Sequence, residues 1–360
     1  MRSSLCVLIT ALLTAIGVAG EPAGLQAAED KRFDGVVLRV GTWGGSWREA
    51  RQELIGKKLE ALGAKVEYVI GQPRDNFAKL ISARTQGIVP IDVMEISPEL
   101  SLTLEKQGFI EALNYQTLPN SKDLDPIYRT PTAVATQVIQ IGIAYNSKKF
   151  EELGLPKPTS FADLFHPKLA GHVAMTDVNA IEAPYNLVAL AMLGGGSEKN
   201  LDPGFKKLAE LKPAFNYKAS TDLATKFTLG EIWAAPWHAG WVLRIARTGF
   251  PIAHADPKVG DKQGMIAEEY MVILKGTKVR QAAEYWINQA LTPDAQIQFA
   301  RKTGVVPTNP RALSQMEGDP ELKNFMWRPA DQQRAFHMDW KIVEPQMPSI
   351  VDKWGRTMAR

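Results

Sequence analysis

The fold class is decided by residues 36–70, which read VVLRVGTWGGSWREARQELIGKKLEALGAKVEYVI. Apolar residues in this stretch predict a strand over 36–41, a helix over 46–62 and a second strand over 65–70. Gly63 directly follows the helix, as is typical of a helix C-terminus. A strand, a crossover helix and a further strand make up the repeating unit of α/β sheets, so the sequence favours that class.

The same alternation continues beyond this unit. A strand at 91–96 precedes Ser97 and Pro98, which fit a helix N-cap and the first helical position. Two strand-like runs, 133–145 and 264–274, are unusually long, and we interpret both as connections between two lobes. The chain length of 360 residues also favours two lobes, because one hydrophobic core rarely grows beyond roughly 250–300 residues.

These connections divide the chain into two discontinuous lobes. We predict that residues 29–138 and 264–310 form one lobe, and that residues 139–263 and 311–360 form the other. Each lobe is expected to hold a mixed sheet flanked by helices, with hinge strands between the lobes. Closure of such a hinge would enclose a small molecule in the cleft.

The N-terminus has the features of an export signal. Residues 5–19 are almost entirely apolar, yet the run is shorter than the roughly 20 residues of a membrane span. Small residues favour cleavage near Ala28, so we predict a signal peptide over 1–28; a buried or anchoring helix is the alternative. The single cysteine, Cys6, lies within this signal, which leaves the mature chain without thiols for disulfides or metal binding.

Composition and charge exclude several classes of protein. The 42 Lys and Arg residues are nearly balanced by 39 Asp and Glu residues, which argues against a nucleic-acid partner, and an apolar fraction of 45% argues against disorder. The five histidines form no HExxH motif, and there is no Gly-x-Ser-x-Gly elbow. We therefore expect no catalytic residues, no metal and no cofactor. A secreted enzyme on the same scaffold is the alternative.

Candidate binding residues follow the predicted strands, because ligands of open α/β sheets bind beyond the carboxyl ends of the strands. This rule selects loops that begin at Thr42, Ser97, Thr176 and Pro236. We expect Thr42 and Ser97 themselves to contact the ligand.

The first of these loops continues with Trp43, Gly44, Gly45 and Ser46. The glycines let the backbone approach a ligand closely, and Ser46 is expected to cap the next helix. Free backbone N–H groups there favour an anionic or carbonyl group. In the alternative interpretation, Trp43 packs under the sheet and the glycines only make a tight turn.

The third and fourth loops combine carboxylates with aromatic rings. Asp177 and Glu182 could hold a cationic ligand, or could be a helix cap and a solvated first-turn residue. Trp237 and His238 follow the next predicted strand. The Trp237 ring could stack on an alkyl or cationic group, or could be ordinary core.

The second long strand carries two adjacent carboxylates, Glu268 and Glu269, followed by Tyr270. Successive residues of a strand face opposite sides, so only one of the two glutamates can point into the cleft. We take Glu269 and Tyr270 as site candidates, although the pattern alone does not distinguish Glu269 from Glu268. A buried carboxylate needs a cationic partner, supplied by the ligand or by a nearby Lys or Arg.

Several blocks of sequence resemble type II periplasmic solute-binding proteins of ABC importers, and within extracellular solute-binding protein family 1 the spermidine/putrescine-binding branch. The blocks are Gly41–Trp47, Ile91–Glu95, Gln107–Ile110, Gly230–Ile232 with Pro236–Trp237, Arg247–Ile252 and Lys302–Asn309. The resemblance implies a monomeric periplasmic receptor that closes two lobes on a small solute and docks to a permease in the inner membrane.

Polyamine-binding members hold amino groups with carboxylates and pack aromatic rings on the methylene chain. The matching positions here are Thr42 and Trp43 in the first loop, Asp177 and Glu182 as acids, Trp237 as an aromatic wall, and Glu269 as the acid of the returning strand. We therefore expect a small amine-bearing, polyamine-like solute.

Two departures from that branch suggest a second ligand class. His238 and the Gly44-Gly45 pair are unusual for a simple diamine site, and they suit a solute with an anionic end, such as an amino-acid derivative or opine. Ferric iron or an oxyanion is a further alternative, but iron-binding relatives use adjacent tyrosines and none of the eight tyrosines here is adjacent to another.

Overall fold

The computed structural model describes residues 31–319 and 329–358, which belong to one compact unit. The predicted signal peptide, residues 1–28 with Cys6, lies outside the described residues. No helix in the described part of the chain is long and apolar enough to cross a membrane. Because contacts join the described residues into one unit, the division into two lobes stays a prediction.

Strands and helices alternate along most of the chain. The strands are β1 (Val37–Thr42), β2 (Lys65–Ile70), β3 (Val93–Ile96), β4 (Val134–Asn146), β5 (Ala174–Thr176), β6 (Phe215–Tyr217), β7 (Ala234–His238), β8 (Ile252–Ala255), β9 (Lys258–Val259), β10 (Lys262–Gln263), β11 (Met265–Ile273), β12 (Val306–Pro307) and β13 (Phe336–His337). The helices are α1 (Ser46–Arg51), α2 (Lys57–Ala61), α3 (Pro73–Arg84), α4 (Pro98–Lys106), α5 (Ser147–Glu152), α6 (Ala183–Leu193), α7 (Asp202–Leu211), α8 (Ser220–Thr228), α9 (Ala239–Ala246), α10 (Arg280–Ala290), α11 (Pro293–Thr303), α12 (Pro310–Met316), α13 (Pro329–Arg334), α14 (Trp340–Val343) and α15 (Met347–Met358).

One mixed sheet organises the molecule. Its strand order is β12-β4-β11-β3-β1-β2, with β7 and β8 also paired to β4 and β13 paired to β11. Strand β1 is parallel to β2 and β3, whereas β11 is antiparallel to β3 and β4. A parallel pair, β5 and β6, forms a separate small sheet. The predicted unit at 36–70 and both long strands are confirmed.

The two long strands form the buried centre of this sheet. All 13 residues of β4 and all 9 residues of β11 are buried. Helix α6 packs beside them with its first nine residues buried, and its Tyr185 contacts Trp340 of the C-terminal region. A second core cluster packs α10 around Trp286, on the side of the sheet that holds β1.

Two features differ from the sequence-based expectation. The helix expected over 46–62 contains a π-helical turn, Gln52–Gly56, between α1 and α2. The short strands β6, β8, β9, β10, β12 and β13 have two to four residues each and were not expected. A period of 2 or 3.6 needs more residues than these segments contain before it becomes visible.

Gly142 is expected to tolerate no side chain, because β4 approaches β8 closely there. A Cβ at this position would lie 2.2 Å from the carbonyl oxygen of Ala255 and 2.6 Å from Cε1 of His254. We expect Gly142→Ala to lower the free energy of unfolding by about 1–3 kcal/mol, as overpacking of a core does. Urea denaturation measures the change. Gly355→Ala is the control, since nothing lies within 4 Å of its Cβ position, and equal stability of the two variants would contradict the expectation.

Candidate functional site

Several buried polar atoms in the described chain have no hydrogen-bond partner. Thr42 ends β1 and Thr176 ends β5, and both hydroxyl groups are buried with no partner among the described residues. Buried polar groups in native proteins nearly always have a hydrogen-bond partner, so these two hydroxyl groups need an explanation. Both threonines open loops that the strand-end rule selects.

Glu269 is a buried carboxyl group without a hydrogen-bond partner among the described residues. Its residue is 0% solvent-exposed, and neither carboxylate oxygen has a hydrogen-bond partner in the described chain. Glu268 points to the opposite side of β11, where its Oε1 lies 2.9 Å from Nδ1 of His337. Strand alternation therefore separates the two carboxylates, and the structure assigns the unpartnered one to Glu269.

The surroundings of Glu269 are acidic. Burial raises its pKa well above the usual value, the charges of Glu95, Glu99 and Glu182 raise it further, and Arg51 opposes them. Glu95 lies on β3 opposite Met271, two residues from Glu269 in β11. Side chains from separate elements of the fold therefore act on one buried carboxyl group.

Glu182 is the second carboxylate without a cationic partner. It immediately precedes α6 and is buried, which excludes a solvated first-turn residue. Burial raises its pKa to about 7, and a hydrogen bond from its own backbone opposes the shift. Nε2 of His238 lies 3.8 Å from its Oε1. Burial, then the charges of Arg244 and His254, lower the pKa of His238 to about 3, so the imidazole is neutral.

Arg51 neutralises one member of the acidic group. Its Nε donates to Oε1 of Glu95 at 2.7 Å, and its Nη2 donates to Oε1 of Gln137 at 2.9 Å. The guanidinium also lies 3.8 Å from the ring centre of Phe299. Trp47 donates its indole N–H to the other oxygen of Glu95. Glu95 is thus fully partnered, in contrast to Glu269.

Glu99 is partly neutralised. Ser97 donates its hydroxyl to Oε1 of Glu99 at 2.6 Å, and Nη2 of Arg74 lies 3.5 Å from the same oxygen. The second oxygen, Oε2, is buried without a partner among the residues described. Ser97 therefore positions a carboxylate at the start of α4.

Two amide side chains join the unpartnered set. Asn186 lies one turn after Glu182 in α6, is fully buried, and has no partner for either amide atom within the described ranges. Gln137 lies opposite Glu269 in the β4–β11 pairing, and its Nε2 is likewise unpartnered there. These amides can donate to or accept from a ligand.

The first loop lies partly at the surface. Trp43 is half-buried, and its indole N–H donates to Gln72 at 3.2 Å. Gly44, Gly45 and Ser46 are exposed. The expectation that Ser46 caps α1 is wrong: the helix begins at Ser46, and Gly45 occupies the cap position with φ 61°, where a glycine is favoured.

Three further candidates have partners within the protein. Trp237 is fully buried and stacks between Phe227 and Trp241. Asp177 accepts hydrogen bonds from the backbone and side chain of Asn179, which forms a local turn. Tyr270 is buried in a core cluster. The structure brings Glu182, His238 and Glu269 together. Trp237, Asp177 and Tyr270 instead make packing or turn contacts within the protein.

Sequence reasoning missed Arg51, Glu95, Glu99, Gln137 and Asn186. The only signal for Glu95 was a carboxylate inside a strand-like run, because a charge in a buried strand implies a partner. Arg51 lies on the predicted helix and carried no signal of burial. No group of three or more His, Cys, Asp or Glu side chains in the described parts of the chain is arranged to hold a metal ion.

Comparisons with known proteins agree with this architecture. The model of the family described as bacterial extracellular solute-binding protein matches residues 57–324. A γ-aminobutyric acid-binding protein of Pseudomonas aeruginosa is 24% identical over 304 residues, which are 81% of this chain and 82% of that protein.

Solved structures share the fold. A γ-aminobutyric acid (GABA) receptor is 21% identical with a TM-score of 0.76, over 90% of this chain and 98% of that one. The binding protein AgtB of Agrobacterium tumefaciens R10, solved with agropinic acid, is 21% identical with a TM-score of 0.72, over 90% of this chain and 99% of that one. The predicted α/β periplasmic binding protein fold is confirmed.

Proposed function

The chain belongs to the bacterial extracellular solute-binding protein family, and from this we propose that it captures a small solute that carries both an ammonium group and a carboxylate. Members of this family are solute-binding components of ABC transporters and are not enzymes. The resemblance to the spermidine/putrescine branch favoured a polyamine. The relatives named for γ-aminobutyric acid and agropinic acid instead support the alternative, an amino-acid derivative.

The observation that carries the ammonium half of the proposal is the state of Glu269. A fully buried carboxylate with two unpartnered oxygens costs several kcal/mol if it stays charged, as a general estimate. A ligand ammonium group would supply both the missing charge and the missing donors. The neighbouring acids Glu95, Glu99 and Glu182 make the same region attractive to a cation and unfavourable to an anion.

A nearby donor supports the carboxylate half. Arg244 lies on α9, and its Nε is buried without an acceptor among the described residues. One of its other nitrogens, Nη2, donates to the carbonyl oxygen of Thr303 at 3.1 Å. Its charge acts on His238, whose buried Nδ1 is also unpartnered in the described chain. An arginine with a free N–H is well suited to bind a carboxylate.

The remaining parts of the proposal follow from the family. We propose that the mature chain, after loss of residues 1–28, acts in the periplasm as a monomer and delivers its solute to a cognate ABC permease in the inner membrane. Residues 29–138 with 264–310 and residues 139–263 with 311–360 would form the two closing lobes. Of the predicted contacts, we retain Thr42, Ser97, Glu182, His238 and Glu269, which either carry unpartnered buried atoms or contact a residue that does.

A thermal-shift panel tests the ligand class. We expect γ-aminobutyrate to stabilise the protein by about 2.7 kcal/mol at a hundredfold excess over Kd. Butyrate lacks the ammonium group and butylamine lacks the carboxylate, so each should give a smaller shift at equal concentration. A larger shift with putrescine than with every amino acid tested would restore the polyamine interpretation. Stabilisation only by solutes without an amine would contradict the proposal.

A further inference from the structure

Four buried glutamates form what we call the acidic cluster: Glu95, Glu99, Glu182 and Glu269. They come from β3, α4, the residue before α6, and β11, so the cluster forms only when these elements pack together. The charges of Glu95, Glu99 and Glu182 all act on Glu269 and raise its pKa. Like charges that interact away from water disfavour the ionised form of one another.

Cations in the protein balance only part of this cluster. Glu95 is paired with Arg51 at 2.7 Å, and Glu99 has Arg74 at 3.5 Å. Glu182 and Glu269 have no cationic partner within the described chain, because the neighbouring His238 is neutral. Two carboxyl groups are therefore left without compensating charge.

The other titratable groups near this pair do not change the balance. The charged or titratable side chains that interact with Glu182, Glu269 or the neighbouring His238 are Arg51, Glu95, Glu99, Tyr185, Tyr217, His238, Arg244 and His254. Burial raises the pKa of Tyr185 and Tyr217, which keeps both phenols neutral. The charge of Arg244 lowers the pKa of His238. It is not among the charges that shift the pKa of Glu182 or Glu269.

A buried carboxylate without a counter-charge takes up a proton more readily than it stays ionised. The environment of both groups acts in this direction, since burial raises the pKa of Glu269 well above normal and that of Glu182 to about 7. Protonation at neutral pH is the state that geometry and charge both favour for Glu269.

We infer that the unliganded site holds an exchangeable proton on Glu269, shared in part by Glu182, and that the ammonium group of the solute enters by displacing it. The protonated carboxyl group and the incoming ammonium ion become a carboxylate–ammonium pair, and one proton passes to the buffer. The net charge at Glu269 is the same before and after binding, because the ammonium group balances the carboxylate that the proton leaves. The exchange step rests on the proposed function, whereas the stored proton does not.

This exchange has a consequence for specificity. The proton competes with the ammonium group, so affinity for an ammonium solute should rise with pH, by up to tenfold per pH unit while Glu269 is protonated in the free protein. A solute without a positive charge displaces no proton and gains nothing from a higher pH. Glu269 and Glu182 would thus make the site selective for solutes with a cationic group.

Infrared spectroscopy of the unliganded mature chain tests the stored proton without any ligand. We expect a carbonyl band of a buried protonated carboxyl group at pH 7. The band should be weaker in Glu269→Gln, weaker still when Glu182→Gln is added to that variant, and unchanged in Glu210→Gln. Glu210 is exposed and pairs with Lys207 at the surface. The wild-type band should also fade as the pH is raised, which provides a readout that does not depend on a variant folding. Absence of the band in wild type, or an equal band in Glu269→Gln, would overturn the inference.

Calorimetry with γ-aminobutyrate tests the exchange. In buffers of different ionisation enthalpy at pH 7, the binding heat should reveal net proton release, and the infrared band should weaken on binding by the part that Glu269→Gln removes. Binding without proton release, with the band retained, would overturn the exchange. If γ-aminobutyrate does not bind, the proposed function fails for this solute, while the infrared result still decides whether the proton is held.

Discussion

Glu269→Gln is expected to weaken binding of an ammonium solute such as γ-aminobutyrate at least a hundredfold, which corresponds to about 2.7 kcal/mol. The amide keeps the shape of the side chain but cannot balance a positive charge. Removing one partner of a buried charged pair usually costs 2–5 kcal/mol or more. Isothermal titration of wild type and variant at pH 7.5 measures the loss.

The same substitution should make the unliganded protein more stable at alkaline pH. A carboxyl group whose pKa is raised in the folded state stabilises it fully below the unfolded value of 4.5. That contribution is lost as the pH rises toward the folded-state pKa, by about 1.4 kcal/mol per pH unit. Gln does not titrate, so urea unfolding at pH 5 and pH 8 should show a smaller decline for the variant.

Glu268→Gln is the matched control for the binding measurement. This neighbour lies on the other side of β11 and pairs with His337 at 2.9 Å, so its loss should leave the affinity for the solute within a few-fold of wild type. Equal losses of affinity in the two variants would show that the orientation of the strand, and with it the site, is wrong.

Arg51→Ala is expected to cause the largest loss of stability. It removes the only cation bonded to Glu95 within the described residues and leaves that buried carboxylate without a counter-charge. Breaking a buried ion pair from one side costs about 3–5 kcal/mol. The variant also loses the contact between the guanidinium and the ring of Phe299. Urea unfolding at pH 7.5 measures the change in the free energy of unfolding.

Arg356→Ala is the control for Arg51→Ala. Its guanidinium pairs with Asp352, and the two side chains are 67% and 64% exposed. An exposed ion pair contributes at most about 1 kcal/mol. A loss for Arg51→Ala as small as for Arg356→Ala would mean that Glu95 is protonated or solvated in the folded protein, which would weaken the account of the acidic cluster.

The sequence allowed the sheet to be predicted because its elements are long and periodic. The unit at 36–70 and the strands β4 and β11 each span enough residues for a period of 2 or 3.6 to be visible. The rule that ligands bind at strand ends also led to Thr42 and Thr176, which carry unpartnered buried hydroxyl groups.

The sequence did not allow the partners to be predicted. Strand alternation required that one of Glu268 and Glu269 face inward, but the choice depends on pairing with β4 and β3, which join residues more than a hundred positions apart. Arg51 and Glu95 are 44 residues apart and meet only through packing. The place of Trp237 at the end of a predicted strand made it a candidate ligand contact, with ordinary core as the alternative. In the structure its ring stacks on Phe227 and on Trp241.

The most direct test is a crystal structure of the complex with the compound that gives the largest shift in the thermal panel. We expect an amine nitrogen of that compound within hydrogen-bond distance of a Glu269 oxygen, about 2.7–3.2 Å. A bound solute that has no amine, or that leaves both oxygens of Glu269 without a partner, would contradict it.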